Sequence, residues 1–362
     1  MWRDRRALDL FGIEHPLLLA PMAGPGTVAL AIAVSEAGGL GALPCAMLSP
    51  DEAHAGLSAI RAATDRPFNA NFFCHTPPPP CAEAEALWEQ RLAAYYTELG
   101  LDPAAPVAGA SRTPFGEEMC RVMEEIRPAV VSFHFGLPQP AHVERLKKAG
   151  CIIVSSATTP AEARWLQEHG AQAIIAQGYE AGGHRGMFLS DDLATQIGTF
   201  ALVPQIVDAV AVPVIAAGGV ADGRTFAAAL TLGACAVQVG TAYLFTKEAK
   251  VAPVYRAMLE MAGDTPTAIT NVMTGRPARG LVNRLIAEQG PLSPDAPPFP
   301  LAAGAVGPLR AAAEAQGIAD FTSLWAGQAA SLSIPRNDRA LTAGELTREL
   351  VAQCRGVLAA GA

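Results

Sequence analysis

Short apolar runs, several of them ending at glycine, alternate with amphipathic stretches along most of the chain. Residues 16–23 form the first run, ending near Gly24 and Gly26, and residues 27–37 then carry a helical pattern closed by Gly38 and Gly39. A second run covers 40–45. Ser49-Pro50-Asp51-Glu52 follows as a helix start, with an amphipathic continuation to Ala63. In the third run, 67–73, Asn69 and Asn71 alternate with apolar residues and so share one face. The same pattern resumes after residue 128, with strands predicted at 129–136, 151–156, 171–177, 212–218 and 234–240. Helices are predicted between them at 141–149, 160–169, 202–210 and 222–232.

Eight buried strands alternating with helices predict an α/β fold, a (β/α)8 TIM barrel. A doubly wound open sheet is the alternative. Against it, the first strand-to-helix turn lacks G-x-G-x-x-G, and no acidic residue is placed to bind a ribose. Two stretches interrupt the alternation. Within 74–128, four consecutive prolines at 77–80 favour a stiff extended path, and helical patterns follow at 82–99 and 116–126. The proline run reads equally as a gate near the barrel mouth or as a spacer. After Phe245 come a helical stretch at 247–261, a mixture of Gly, Pro and Arg at 265–300, and further helices at 301–316 and 341–358. The expected organisation is a barrel made of 1–246 and 325–362, with a helical cap, 247–324, inserted after strand eight.

Composition narrows the function. The chain is 51% hydrophobic and 17% charged, as a globular protein with a large core requires. A formal net charge of -8 with no Lys/Arg-rich block disfavours a nucleic-acid partner, so an anionic ligand must be held by local cations or backbone N–H groups. The seven cysteines are dispersed, none in a C-x-x-C pair, which reads as reduced thiols. The histidines show no metal-ligand spacing, so no metal is expected. No signal core follows the charged N-terminus and no run approaches membrane-span length, so a soluble, cytoplasmic protein without a membrane partner is expected.

In a β/α barrel the carboxyl ends of the strands build the site. That rule selects Met22, Asn71, His134, the run 177–186, Gly218-Gly219 and Gln238-Val239-Gly240-Thr241. The run Gln177-Gly178-Tyr179-Glu180-Ala181-Gly182-Gly183-His184-Arg185-Gly186 has glycine at four of ten positions, which lets a planar ligand approach beside one imidazole and one guanidinium. Loops after strands seven and eight are the usual phosphate grip of this fold. With Asn71 and Gln177 as amides that donate and accept, and Met22 as a soft ring contact, that grip suggests flavin mononucleotide, FMN. Each Asn or Gln reads singly as a satisfied core residue, His134 as a hydrogen-bonded strand histidine and Arg185 as a brace of its own loop.

Several of these stretches carry a family likeness. Residues 16–22, 33–43, 67–73, Val131-Ser132-Phe133-His134-Phe135-Gly136, 177–186 and the two phosphate turns resemble the nitronate monooxygenases of the bacterial class I type, once called 2-nitropropane dioxygenases. The resemblance implies noncovalent FMN and oxidation of alkyl nitronates, typically propionate 3-nitronate, by dioxygen to a carbonyl compound plus nitrite or nitrate. It implies Asn71, Gln177, Gly182, Gly219 and 238–241 as FMN ligands and His184 as the active-site imidazole. Met22 and Gly218 join the cofactor set by position, and His134 and Arg185 are candidate substrate contacts.

His184 has two open roles, attracting the nitronate as imidazolium or removing the α-proton of a nitroalkane as neutral imidazole. A related FMN-dependent NAD(P)H reductase of enoyl thioesters or quinones, and a barrel that binds a phosphorylated metabolite without redox chemistry, are the competing functions. No residue from Pro77 to Pro114 matches the family's substrate-side positions, and the cap offers Tyr243 and Tyr255 without an evident aromatic pair. Leu324-Trp325-Ala326-Gly327-Gln328 resembles a family segment that returns to the pocket, with Trp325 and Gln328 as contacts or as packing. The oligomeric state is left open.

Overall fold

The computed structural model describes residues 2–79, 81–105, 112–335 and 340–361. Uncharged strands rich in Ala, Val, Ile and Leu pair in parallel when helices cover their outer face and packed side chains their inner one. Here they are β1 (Leu17–Leu19), β2 (Gly41–Pro44), β3 (Phe68–Phe73), β4 (Val130–His134), β5 (Ile152–Ala157) and β6 (Ala173–Gln177). A two-residue strand, β7 (Gly183–His184), belongs elsewhere, and β8 (Val214–Ala217) and β9 (Ala236–Val239) complete the set. The order is β1-β9-β8-β6-β5-β4-β3-β2, and a Leu18–Leu40 bridge joins the first strand to the last. The expected (β/α)8 barrel is therefore present, each strand within or nearly within its predicted run.

The helix α1 (Arg6–Phe11), which the pattern of the sequence did not announce, sends Ala7, Leu8 and Phe11 into the core. Around the barrel stand α2 (Val28–Glu36) and α3 (Pro50–Ala63) and, after α4 (Ala82–Glu98), α5 (Glu117–Ile126), α6 (Pro140–Lys148), α7 (Pro160–Glu168), α8 (Thr199–Ala209) and α9 (Gly223–Thr231). The segment after β9 contributes α10 (Pro253–Glu260), α11 (Arg284–Gln289) and α12 (Ala302–Ala315). α13 (Ala343–Ala360) then returns to pack on α2 and α9. Among the described residues no helix is long and apolar enough to cross a membrane.

Asp222 starts α9 just beyond the turn that follows β8. Its carboxylate accepts from the N–H groups of Arg224 at 3.0 Å and Thr225 at 2.9 Å, satisfying two donors that a helix start leaves unpaired. Asp222→Ala is expected to cost about 1 kcal/mol, read as a lower urea midpoint at unchanged m-value.

The cap differs from the helical one expected. Residues 265–300, mixed in composition, hold β10 (Thr267–Thr270) and β11 (Ala278–Leu281) besides α11. These strands form an antiparallel sheet in the order β10-β11-β7, with Ala278 opposite His184 and Arg279 opposite Gly183. The glycine-rich run is thus the edge of a small sheet over the barrel mouth. The helix expected from 247 starts only at Pro253, which occupies its first turn. α4 also joins the cap: Trp88, Leu92, Tyr95 and Tyr96 pack with Leu285, Ile286, Leu309 and Phe321. Trp88 and Tyr96 donate to the carbonyls of Ala302 and Ala305 on α12. Pro77, Pro78 and Pro79 lie outside the cavity lining described below, and Pro80 lies outside the described residues.

Candidate active site

A cavity of about 1220 Å³ opens between the carboxyl ends of the strands and the cap. Met22, Asn71, His134, Gln177, Gly182, His184, Gly218, Gly219, Gln238, Gly240 and Thr241 all line it. Residues up to 219 positions apart therefore meet because each sits at or just beyond the end of a barrel strand. Two expected members do not. Val239 pairs with Leu19 in the barrel wall and is 1% exposed, its side chain packed in the core. Arg185 is wholly buried behind the loop, donating to Gln196 Oε1, the Gly178 carbonyl and the Gln177 carbonyl, each at 2.8 Å. Its fork braces the turn and does not line the cavity.

The turns after β8 and β9 are adjacent, because these strands pair directly. Gly218 and Gly219 hold φ of 105° and 72°, a left-handed region that side chains resist. A Cβ on Gly218 would also stand 2.9 Å from the Ala181 nitrogen. The result is a concave stretch of bare backbone. Beside it, Gln238 Oε1 is buried with no hydrogen-bond partner among the described residues. An unsatisfied buried acceptor costs roughly 1–3 kcal/mol, so this atom calls for a donor carried by a ligand. Asn71 spends its amide N–H on Ser132, at 2.9 Å to Oγ, which leaves its oxygen as a second acceptor on the lining.

Across the cavity, hydrogen bonds assign both histidine tautomers. The His184 carbonyl accepts from His134 Nε2 at 3.0 Å and from Gln177 Nε2 at 2.9 Å, so His134 carries its proton on Nε2. His134 Nδ1 then accepts from Ser156 Oγ at 3.1 Å. Gln177 Oε1 accepts from the Gly186 N–H at 2.7 Å. His134 and Gln177 thus hold the loop as well as lining the site. The Thr274 hydroxyl points to the Arg276 carbonyl at 3.5 Å and accepts from His184 Nε2 at 2.9 Å. The lone pair of His184 is therefore on Nδ1, which has no protein partner among the described residues.

Burial pushes the His184 pKa down to about 3, reinforced by His134, Arg276, Arg112 and His75. Burial likewise lowers His134 to about 4, against the opposing hydrogen bond to the His184 carbonyl. Both rings are neutral at physiological pH. Burial, then the charge of Arg279, lowers Arg185 to about 10, and it stays protonated.

The aromatic wall missed in the sequence surrounds this imidazole. Its ring centroid lies 5.3 Å from Phe299, 5.5 Å from Trp325 and 6.3 Å from Phe73. Phe135, at φ 70°, carries the Arg276 guanidinium 4.1 Å above its ring, and Arg276 also donates to the Met187 carbonyl. Tyr255 lines the cavity and donates to the Trp325 carbonyl, whereas Tyr243 is buried against Thr347 of α13. The segment 324–328 does return to the pocket. Trp325 and Gly327 line it, while exposed Gln328 contributes its backbone N–H to the Glu180 carbonyl. Gly182 makes this approach possible, since a Cβ there would lie 2.6 Å from the Gly327 nitrogen. Of the missed residues, Phe73 ends a predicted strand and was findable by that rule. Thr274 and Phe299 lie in a segment without period, and only the fold brings them in.

Comparison with known proteins bears on the same span. The family model for nitronate monooxygenase matches residues 4–353. The chain is 41% identical over 354 residues to the nitronate monooxygenase of Pseudomonas aeruginosa, covering 97% of this chain and 99% of that one. The crystal structure of nitroalkane oxidase from Streptomyces ansochromogenes has a TM-score of 0.88 at 36% identity, covering 98% of this chain and 99% of that one. FabK from Thermotoga maritima has a TM-score of 0.73 at 30% identity, covering 99% and 98%. The matched residues include every barrel strand, the glycine turns and the histidine loop, and the chain belongs to the nitronate monooxygenase family.

Proposed function

We propose that this chain oxidises alkyl nitronates, such as propionate 3-nitronate, with dioxygen and bound FMN, and that His184 takes the α-proton when a neutral nitroalkane is offered. The observation that carries the reading is the neutral imidazole, with Nδ1 unpaired among the described residues, set across one cavity from bare glycine turns. The residues present fit FMN. Gly218, Gly219, Gly240 and Thr241 supply a backbone cradle for a phosphate, which needs no side-chain cation there. Gln238 Oε1 and the Asn71 oxygen are acceptors for the ring's polar edge, and Met22 can pack beside it. When bound, FMN supplies the redox chemistry by which a nitronate loses an electron and dioxygen gains one, ending in a carbonyl compound and nitrite or nitrate.

The chain's own residues do the rest. His134 and Gln177 fix the His184 carbonyl, and Thr274 fixes its ring, so Nδ1 is held toward the substrate space. Phe73, Phe299 and Trp325 exclude water around it, which strengthens charge interactions there.

The second reading is an NAD(P)H-dependent reductase on the same barrel, and reductant preference separates the two. In anaerobic stopped-flow mixing, propionate 3-nitronate is expected to bleach the flavin rapidly, and NADH or NADPH to do so little. The reverse order establishes the reductase.

A further inference from the structure

One hydroxyl on the cavity wall has no use in either the glycine cradle or the His184 network. Ser333 lines the cavity, and its Oγ is buried without a hydrogen-bond partner among the described residues. Burying a polar atom unpaired costs free energy, so this hydroxyl calls for a partner carried by a ligand. Its place in the fold says which kind. Ser333 ends the 3-10 turn Ala330–Ser333, which packs on the 3-10 turn Thr241–Phe245 that begins directly after Gly240. Ala330 shares an apolar cluster with Leu244 and Phe245. The chain just before this turn is pinned to the same end of the cavity at two points. The Gly327 N–H donates to Thr241 Oγ1 at 3.0 Å, and the Gln328 N–H donates to the Glu180 carbonyl at 3.0 Å. Glu180 in turn stands beside the turn after β8, since a Cβ on Gly219 would lie 3.8 Å from its own. The Thr241 hydroxyl is the acceptor in its bond, which leaves its proton without an acceptor among the described residues. Two hydroxyl protons therefore stand with the glycine turns, on the side of the cavity away from the imidazole.

We propose that Ser333 is a further ligand of the cofactor's phosphate, its hydroxyl donating to a phosphate oxygen beside Thr241 and the glycine turns. The inference rests on the FMN reading above and adds a third segment to that site, the returning stretch 325–333. A phosphate monoester carries roughly 1.5–2 negative charges at pH 7 and three acceptor oxygens, so hydroxyl donors add to backbone N–H groups without displacing them. Hydrogen bonds to an ionised acceptor are also roughly twice as strong as those between neutral groups. The contribution of Ser333 therefore belongs to the phosphate and not to the ring or the ribityl chain.

Riboflavin, which keeps the ring and ribityl chain and lacks the phosphate, is the probe that separates these parts. The full-length protein is loaded with FMN or with riboflavin, and each Kd is read from the return of flavin fluorescence on dilution. Wild type is expected to hold FMN far more tightly than riboflavin. Ser333→Ala should raise the FMN Kd about ten-fold, the usual cost of losing one hydrogen bond to a charged group, and leave the riboflavin Kd unchanged. Ser333→Asp should raise the FMN Kd further, because it sets a carboxylate against the phosphate. A variant that merely loosens the fold moves both constants together, so the measure is the ratio of the two. A ratio that stays at the wild-type value in both variants overturns the Ser333 assignment alone. A wild-type protein that binds no flavin, or binds riboflavin as tightly as FMN, overturns the phosphate cradle and the assignment with it.

Discussion

Replacing His184 with alanine lowers kcat/KM for a neutral nitroalkane by roughly 10²–10⁴-fold, the usual contribution of a positioned base, and lowers that for the preformed nitronate far less. The asymmetry follows from the tautomer. Nε2 donates to Thr274, so the ring offers the cavity only the Nδ1 lone pair. A lone pair can remove an α-proton. It offers nothing to a substrate that has already lost one, and equal losses for the two substrates are the outcome that removes this role.

The pH profile supplies an independent check. With its pKa depressed to about 3, His184 stays a base well below the ordinary 6.5. The wild-type rate with a neutral nitroalkane is therefore expected to stay flat from pH 8 to 5, wherever the substrate's own ionisation does not intervene. A fall centred near 6.5 marks an unperturbed imidazole. The same shift has a cost in stability. His184 and His134 bind protons more readily when unfolded, so their contribution is full above about 6.5 and is lost as pH falls below that value toward 4 and 3.

Much of this site could be read from the chain because barrel geometry converts position into function. Asn71, Gln177 and Gln238 sit on predicted strands near their carboxyl ends, and all three reach the cavity. Val239 failed the same reading for an equally plain reason. Successive residues of a strand face opposite ways, so a contiguous block taken as ligands must include one that points into the packing. The cap was less legible. β7 is two residues long, and its partner β11 lies some 95 positions away, so no local period marks either. The roles of Thr274, Phe299 and Arg276 depend on that pairing. Family likeness gave no role to these three. Trp325 differs: its segment was flagged by likeness alone, and its contact with His184 came from the fold.

Of its two readings, substrate contact and brace of its own loop, Arg185 takes the second, and its replacement should have the largest effect on stability. Its guanidinium satisfies three acceptors at once, two of them carbonyls of the turn that carries the glycines. Gln196 links it onward to Thr158, and Thr158 donates to the buried carboxylate of Glu162. Arg185→Met keeps much of the volume but strands those acceptors, at roughly 1–3 kcal/mol each. Relief from burying a charge offsets part of the loss. A net destabilisation of about 3 kcal/mol is expected, together with escape of the flavin on gel filtration, because Gln177 and Gly178 lose their hold. Arg185→Lys should recover little, since one ammonium cannot reproduce a planar fork. A variant that melts like wild type and keeps its yellow colour, yet shows a ten-fold higher KM, would instead return Arg185 to the substrate side.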